Sequence, residues 1–329
     1  MTTSPGAEAN PLAHWPTGTA VPLVIGIDAG GTKSVCLLAR ADDGEIVGRG
    51  VGGPGNIRAV GEERVAQSLM AAIQAAFAAA DRSSQQGIVA VVVGAAGAAR
   101  ADDRALVEAI LRRAIKARYY GVTNDAAIAL RAELPTGPGV LLISGTGSIG
   151  YGRTVNGDEV RAGGWGYLLD DAGSAYAVGL AGLAAILRAH DGRDPSTALR
   201  QPLLSAWDLT APEEIISRLY QQPPPREAVA ALGPIVFATA RSGDAVAQQI
   251  VTAAGTALGD LAAATIRQLG TTPETIIPLV TDGGFLRAGA DLLLPPLLAT
   301  VQAHGLAVAQ RTATIEAAHG AIWMARELA

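Results

Sequence analysis

Residues 23–33 read Leu-Val-Ile-Gly-Ile-Asp-Ala-Gly-Gly-Thr-Lys. The apolar run 23–27 predicts a buried β-strand and 34–40 predicts a second, so the glycine-rich turn Gly30-Gly31-Thr32-Lys33 connects two strands. Glycine lets successive backbone N–H groups point into one concavity, and such a concavity binds phosphate. A single turn of this kind is more often an ordinary hairpin whose glycines supply positive φ, so the rest of the chain must decide between the two interpretations.

The same arrangement occurs again later in the chain. An apolar strand predicted over 140–144 ends in the turn Gly145-Thr146-Gly147-Ser148, and another strand is predicted over 149–154. A tight hairpin signal follows in each copy, Asp43-Gly44 in the first and Asn156-Gly157 in the second. Two glycine turns at matching positions of a duplicated unit favour phosphate binding over two ordinary hairpins. Two such domains would face each other across a cleft, with both turns directed at one ligand.

Hydrophobic periodicity predicts the remaining elements. Further strands are predicted at 45–51, 88–93, 117–123, 158–162, 276–280 and 306–309. Helices are predicted at 62–80, 101–113, 126–133, most of 173–268, and 315–328. The continuous apolar run 88–93 is typical of a parallel strand that is buried on both faces. The pattern as a whole predicts an α/β protein.

Composition and charge exclude several classes of protein. The 329 residues suffice for two domains, and 49% hydrophobic against 17% charged residues supply a large core. A net charge of −5 with scattered arginines gives no basic stripe for nucleic acid or an anionic membrane. The single cysteine, Cys36, rules out an intrachain disulfide and a four-cysteine zinc site. The histidines show no metal-binding spacing.

The mean hydropathy of +0.28 requires a check for membrane spans. The long uncharged stretches 134–152 and 292–310 contain Pro, Gln and His or many Gly, Ser and Thr residues, so neither is typical of a spanning helix. Residues 1–22 have no basic start and are rich in proline, which indicates a flexible tail rather than a signal peptide. The sequence therefore predicts a cytoplasmic protein.

Two better-known nucleotide motifs do not fit. A Walker A loop would need Lys followed by Ser or Thr after Gly31, where this chain has Thr32-Lys33. Residues 145–150 match GxGxxG, but the dinucleotide fingerprint requires a helix directly after the glycines, and here a strand is predicted. The hypothesis that the protein is a nicotinamide oxidoreductase would rest on this match alone.

Asp28 and Asp125 each follow an apolar strand. At the end of its strand, Asp28 could hold a hydrated Mg²⁺ near transferring phosphates, or cap its own turn. The metal role is favoured because a phosphate-binding turn needs a counter-cation. Asp125 in the segment Thr123-Asn124-Asp125 could cap the helix 126–133, which is the commoner use of Asn-Asp. As a general base it would take the proton of a hydroxyl that attacks a phosphoryl group.

The least generic stretch is residues 163–176. It contains Gly163-Gly164-Trp165-Gly166 and, a few residues later, the adjacent acids Asp170-Asp171. Adjacent carboxylates on a glycine-rich loop suit recognition of a polyhydroxyl compound or a metal. The alternative is a solvated loop with helix capping near Gly173.

Together these residues resemble the BadF/BadG-type ATPase family, which contains N-acetylglucosamine kinase and belongs to the actin-like ATPase and sugar-kinase superfamily. The resemblance extends from about Val24 to Ala329. Five segments carry it: residues 26–33 and 143–148 as the two phosphate motifs, 123–127 as the first connecting motif, 281–284 as the adenosine motif, and 163–166 with 171–176 as the hexosamine-kinase segment.

The resemblance implies two RNase-H-like domains, 23–123 and 124–314, with ATP in the cleft between them. It implies a last helix, 315–329, that packs back on the first domain, and a homodimer. It also implies transfer of phosphate from ATP with Mg²⁺ to the 6-hydroxyl of an amino sugar. The residues that the resemblance assigns to the nucleotide are Gly30, Gly31, Thr32, Lys33, Gly145, Thr146, Gly147, Ser148, Gly283 and Gly284. Those that it assigns to the sugar are Asn56, Asn124, Asp125, Gly164, Trp165, Gly166 and Asp171.

The chain departs from hexosamine kinases in the loop 94–100. Similar kinases carry an acid there that contacts the reacting hydroxyl, whereas this loop has Ala99, and the next acids are Asp102-Asp103. This departure moves the expected catalytic base to Asp125. The adenosine motif also has Asp282 where a small residue is commoner.

The first functional hypothesis is an ATP-dependent kinase for N-acetylglucosamine or glucosamine, and a close alternative is an N-acetylmuramic acid kinase. A sugar-responsive regulatory protein that binds ATP without catalysis is a further alternative, which the missing acid at Ala99 supports. The family also contains ATPases that activate radical dehydratases, but these hold an iron–sulfur cluster with two cysteines from each subunit, and Cys36 alone is insufficient.

Overall fold

A computed structural model describes residues 21–81, 87–98, 100–221, 223–272 and 274–329. The strands are β1 Leu23–Ala29, β2 Ser34–Arg40, β3 Ile46–Gly52, β4 Ile88–Ala95, β5 Tyr119–Thr123, β6 Gly139–Ser144, β7 Ser148–Arg153, β8 Glu159–Gly163, β9 Ile276–Asp282 and β10 Ala307–Thr312. The helices are α1 Ile57–Ala79, α2 Ala101–Ala114, α3 Asp125–Glu133, α4 Ala175–His190, α5 Arg200–Ala206, α6 Glu214–Tyr220, α7 Arg226–Ala230, α8 Gly233–Arg241, α9 Ala245–Gln268, α10 Gly284–Ala288, α11 Ala290–Ala303 and α12 Ala318–Leu328.

Every strand predicted from the sequence is present, with ends that agree to within three residues. The helix predicted over 62–80 begins earlier, at Ile57, and Gly61 with φ +79° bends it after its first turn. Most of the tail predicted over 1–22 lies outside the described residues, and so does Ala99.

The chain divides into two compact units. Unit 1 comprises residues up to 136 together with 314–329, and unit 2 comprises 137–313. The first boundary is later than the expected 124, because α3 packs against α12 and the sheet of unit 1. The helix α12 also lies in unit 1, where it packs on β1 and β4.

The sheet of unit 1 has the order β3-β2-β1-β4-β5. β2 is antiparallel to both β1 and β3, whereas β1, β4 and β5 are parallel. The carboxyl ends of the parallel strands therefore share one edge, where Asp28, Gly94 and Thr123 lie in register. At about 4.8 Å between neighbouring strands, Asp28 and Thr123 are roughly 10 Å apart across Gly94.

β1 is buried on both faces. Ile25 and Ile27 pack with Leu69 of α1, and Val24 packs with Ile322 of α12 on the opposite face. Gly26 allows α12 to approach closely, since a Cβ there would lie 2.5 Å from the backbone N of Ile322. Burial on both faces explains why β1 reads as a continuous apolar run rather than an alternating one.

The sheet of unit 2 has the order β10-β9-β6-β7-β8. Three antiparallel strands, β8, β7 and β6, continue into the parallel strands β9 and β10. This is the topology of unit 1 in the same chain order, so the duplication inferred from the glycine turns is confirmed.

The helix α9 is the one described helix that is long and apolar enough to cross a membrane. Half of its most apolar stretch is buried, and Val251, Leu258 and Ile266 belong to the core of unit 2. These contacts explain the high hydropathy of α9, because it is a core helix of unit 2.

Candidate active site

The first glycine turn leaves open space beside its backbone. The Gly30 N–H donates to the Lys33 carbonyl at 3.0 Å, which closes the turn, and Gly31, Thr32 and Lys33 are exposed. Neither Gly30 nor Gly31 has φ in the left-handed region, and a Cβ added to Gly31 would meet nothing within 4 Å. The hairpin interpretation, in which these glycines supply positive φ, is therefore wrong.

The second glycine turn repeats this property. The Gly145 N–H donates to the Gly147 carbonyl at 2.9 Å. Gly145 and Gly147 lie outside the left-handed region, and a Cβ added to Gly145 would meet no atom within 4 Å. Neither backbone conformation nor packing requires glycine at Gly31 or Gly145.

The turn that follows β9 has a different construction. Gly283 has φ +102°, and its Cα packs directly on the backbone of Ser144. Gly284, the first residue of α10, has open space around its Cα. Asp282 accepts from the Gly283 N–H at 2.6 Å and forms an ion pair with Arg287, so the acid that departs from the family pattern is engaged within its own turn.

Asp28 is the penultimate residue of β1 and is half-buried. Its Oδ1 would lie 3.9 Å from a Cβ on Gly30, so the carboxylate lies beside the first glycine turn. Within the described ranges, no cluster of three or more His, Cys, Asp or Glu side chains is arranged to hold a metal. A single carboxylate beside an open glycine turn fits Mg²⁺, which is commonly bound through one or two carboxylates, waters and substrate phosphates.

Asn56 is fixed as the N-cap of α1. Its Oδ1 accepts from the backbone N–H groups of Arg58 at 3.1 Å and Ala59 at 3.2 Å. Gly97, with φ +82°, packs against the same oxygen, since a Cβ there would lie 2.5 Å from it. The amide oxygen is therefore committed to the fold, and the NH₂ group is the part of Asn56 available to a ligand.

Asn124 has the same construction at α3. Its Oδ1 accepts from the Ala127 N–H at 2.8 Å, so Asn124, rather than Asp125, caps this helix. Asp125 is the first helical residue and is exposed, with its Oδ1 accepting from the Ala126 N–H at 3.0 Å. Although solvent reaches the residue, desolvation by the surrounding protein raises the pKa of Asp125.

The second glycine turn is bound to the loop that leads into α4. The Ser148 hydroxyl donates to the Ala172 carbonyl and the Ser144 hydroxyl to the Gly173 carbonyl, both at 2.9 Å. The Ala175 N–H donates to the Gly145 carbonyl, also at 2.9 Å. Because the hydroxyl of Ser148 and the N–H of Gly145 are engaged within the protein, the turn offers a ligand its remaining backbone N–H groups and the side chain of Thr146.

Asp171 lies in this contact region and is only 5% exposed. A Cβ on Gly147 would come within 2.6 Å of its Oδ2, so the carboxylate fills the space that the missing side chain leaves. Desolvation raises the pKa of Asp171, while hydrogen bonds from the backbone N–H groups of Ser148 and Gly166 act in the opposite direction.

The loop after β8 is exposed at its tip. Trp165 is 66% exposed and carries the Arg161 guanidinium 4.5 Å from its ring centroid. Gly164 and Gly166, on either side, have positive φ, and Gly164 packs on Ile149 of β7. The indole is thus presented to solvent by left-handed glycines and is not a packing anchor.

Two contributors to the site were missed by sequence reasoning. Ser144 holds the α4 loop on the second turn, and the ion pair of Arg58 with Asp103, at 2.6 Å, joins the start of α1 to the start of α2 beside Asn56. Ser144 directly precedes the glycine turn in the sequence, so its position could have indicated a role at the site. The pairing of Arg58 with Asp103 depends on how α1 and α2 pack and has no local signal.

Comparison with known proteins gives the family. The model of the BadF/BadG/BcrA/BcrD ATPase family matches residues 25–325. The chain belongs to this family. It is 32% identical over 266 residues to the N-acetylmuramic acid/N-acetylglucosamine kinase of Clostridium acetobutylicum, a match that covers 80% of this chain and 85% of the relative. It is also 32% identical over 271 residues to the N-acetyl-D-glucosamine kinase of Dictyostelium discoideum, with the same coverage.

Solved structures agree with the fold of this family. A Chromobacterium violaceum protein provisionally named an N-acetylglucosamine kinase has a TM-score of 0.71 at 24% identity, covering 92% of this chain and 98% of that one. A ROK family glucokinase from Streptomyces griseus, solved with glucose and AMPPNP, has a TM-score of 0.53 at 19% identity, with coverage of 92% and 98%. At these identities the similarity shows the sugar-kinase type of fold and nothing finer.

Proposed function

We propose that this protein is an ATP-dependent kinase that phosphorylates the 6-hydroxyl of an amino sugar, N-acetylglucosamine or glucosamine. The observation that carries the proposal is the pair Gly31 and Gly145, at the two glycine turns of a duplicated unit. Both have open space where a side chain would be and no backbone need for glycine. A phosphate group that approaches the backbone N–H groups requires that space. The kinase activity of the two curated relatives supports the same function.

In this proposal both glycine turns bind one ATP. Gly30–Lys33 and Gly145–Ser148 hold its phosphates, and Gly283-Gly284 contacts the adenosine. Asp28 would hold a hydrated Mg²⁺, which would neutralise phosphate charge during transfer. Closure around the ligands would exclude water, because an open site would hydrolyse ATP without a sugar.

The amino sugar would be held by asparagine amides and by the tryptophan loop. The NH₂ groups of Asn56 and Asn124 are available as donors to sugar oxygens, since both amide oxygens are committed to helix caps. On unit 2, the segment Gly164-Trp165-Gly166 would cover the sugar. Asp171 belongs to the sugar-binding set that the family resemblance implies.

Asp125 is the proposed catalytic base. It accepts the proton of the 6-hydroxyl, whose oxygen attacks the γ-phosphorus in line while ADP leaves. A pKa raised by desolvation suits this role, since a carboxylate with a higher pKa is a stronger base for the hydroxyl proton. In this chain Asp125 would replace the acid that similar kinases carry at the position of Ala99.

N-acetylmuramic acid is the second candidate substrate. The relative from C. acetobutylicum is named for both this sugar and N-acetylglucosamine, and it matches most of the chain. An ATP-using enzyme of this kind is expected in the cytoplasm, where ATP is made, and we propose a homodimer there.

The test is a coupled ADP-release assay with ATP, Mg²⁺ and a panel of glucosamine, N-acetylglucosamine, N-acetylmuramic acid, N-acetylmannosamine, glucose and no sugar. Strong stimulation by one amino sugar is the expected result, and mass spectrometry of the product locates the phosphate on the 6-hydroxyl. If ATP binds but no sugar stimulates ADP release, the kinase proposal is wrong and the regulatory alternative gains support.

A further inference from the structure

The turn after β9 contains an acidic residue that the proposed function does not use. Asp282 stands where the family more commonly has a small residue. Its Oδ1 accepts a hydrogen bond from the Gly283 N–H at 2.6 Å, and the same oxygen forms an ion pair with the guanidinium of Arg287. One carboxylate oxygen thus binds both the backbone of the turn and the guanidinium, so the guanidinium lies close to this turn.

Gly284 leaves open space on the same side of α10. A Cβ added to Gly284 would meet no atom within 4 Å, and its φ lies outside the left-handed region, so neither packing nor backbone conformation requires glycine there. The Arg287 N–H donates to the Gly283 carbonyl at 3.0 Å, which closes one helical turn. Residues three apart on a helix lie on one face, so the half-exposed side chain of Arg287 borders the open space at Gly284.

The ion pair determines what Arg287 offers to a ligand. The carboxylate of Asp282 offsets the charge of the guanidinium and restricts its rotamers, while both faces of a guanidinium remain planar. Such a plane stacks on aromatic rings, which an ammonium group cannot do in the same way. A guanidinium that is already fixed also loses less conformational entropy when a ligand binds.

We propose that Arg287, held by Asp282, stacks its guanidinium plane on the adenine base of the nucleotide, which enters the open space at Gly284. The inference rests on the proposed kinase function, in which Gly283-Gly284 contacts the adenosine. It adds Arg287 as a nucleotide-binding residue and Asp282 as the residue that positions it. The acid that departs from the family pattern thereby acquires a role in this chain.

The experiment measures binding of ADP with Mg²⁺ by calorimetry, in the absence of sugar. Arg287→Ala should weaken this binding about tenfold, the effect of losing a stacked guanidinium. Arg287→Lys keeps the positive charge but loses the plane, so it should weaken binding nearly as much. Arg188→Ala is the matched control, since Arg188 is another half-exposed arginine of unit 2 in an ion pair with an aspartate, and it should bind ADP within about twofold of wild type.

A second substitution tests the role of Asp282. Asp282→Asn keeps an oxygen that can accept from the Gly283 N–H but loses the anion that fixes the guanidinium, so it should weaken ADP binding about threefold. In the Arg287→Ala background the same substitution should have no further effect, because Asp282 acts through Arg287. Equal losses from Asp282→Asn in both backgrounds would show that Asp282 does not position this guanidinium.

Three results would overturn the proposal. If Arg287→Ala binds ADP as wild type does, the side chain does not contact the nucleotide. If Arg287→Ala weakens binding but Arg287→Lys restores it, the charge rather than the plane is used, and the contact is with a phosphate. If the wild-type protein itself binds neither ADP nor an ATP analogue, the proposed kinase function is wrong, and this role is wrong with it.

Discussion

At the scale of single residues, Asp125 is the proposed catalytic base, and Asn124 leaves it free for that role by capping α3. The helix α3 needs a cap, and Asn124 supplies it, so the carboxylate of Asp125 is left for another task. Sequence reasoning could not separate these roles, because either residue of an Asn-Asp pair can cap a helix.

Replacement of Asp125 by Asn should lower kcat by about 10²–10⁴-fold, because the amide cannot accept the hydroxyl proton. Binding of the ATP analogue should be unchanged, which calorimetry checks. Asp102→Asn, in the first turn of α2, is the matched control. If Asp125→Asn kept most of the wild-type activity, another group would be the base.

The pH dependence of the wild-type enzyme should reflect the same residue. The base must be ionised to act, so kcat/KM should fall as the pH drops through the pKa of Asp125. Because desolvation raises that pKa, the acidic limb should lie above the ordinary value of about 3.9 for aspartate. An acidic limb at or below that ordinary value would contradict this assignment.

Gly31 and Gly145 give a second prediction at the residue scale. Gly31→Ala and Gly145→Ala should each raise KM for ATP about tenfold or more, since a methyl group enters the space needed by phosphate. Stability should be unchanged or should rise by about 0.4–1 kcal/mol, because neither position needs positive φ. Kinetics with thermal unfolding checks both parts. An unchanged KM for ATP in both variants would remove the main support for the proposed phosphate site.

At the scale of elements, the packing of α12 on β1 gives unit 1 its second buried face. The chain enters this helix through a segment that Glu133 of α3 holds, since its Oε1 accepts from the backbone N–H groups of Thr314 at 2.5 Å and Ile315 at 2.7 Å. Arg49 of β3 adds an ion pair with Glu316 at 2.8 Å. The end of the chain is thus an integral part of the first unit.

Gly26 controls how closely α12 approaches. Gly26→Ala should lower the free energy of unfolding by about 1–3 kcal/mol, since its Cβ would meet the backbone of α12, which cannot rotate away as a side chain can. Chemical denaturation measures the change. Gly31→Ala, five residues away in the same motif, is the control that should lose nucleotide affinity but not stability. Equal stability of the two variants would contradict this packing.

At the scale of the whole molecule, Cys36 reports on the integrity of unit 1. It is the only cysteine, it is fully buried in β2, and burial raises the pKa of its thiol to about 12. A thiol reagent should therefore label the native protein only when unit 1 opens, because the reactive thiolate is absent while the thiol is buried.

The expected result is one label per chain, at a rate far below that of the unfolded protein. ATP and Mg²⁺ should slow labelling further, since a ligand that binds only the native state reduces the population of the open state. Cys36→Ser, which leaves nothing to label, is the control. Rapid labelling of the native protein would show that β2 is not buried as described.

The sequence by itself determined the strands, the two glycine turns and the duplicated unit, because apolar periodicity and turn chemistry are local properties of the chain. It also determined the family, since the motifs around Asp28, Asp125 and Trp165 are contiguous stretches. Roles that depend on distant partners were decided only by the tertiary structure. These include the carboxylate of Asp171 over Gly147, the contact of Gly26 with α12, and the placement of α3 in unit 1. The physical reason is that such contacts are set by how elements pack, and packing joins residues whose separation along the chain carries no local signal.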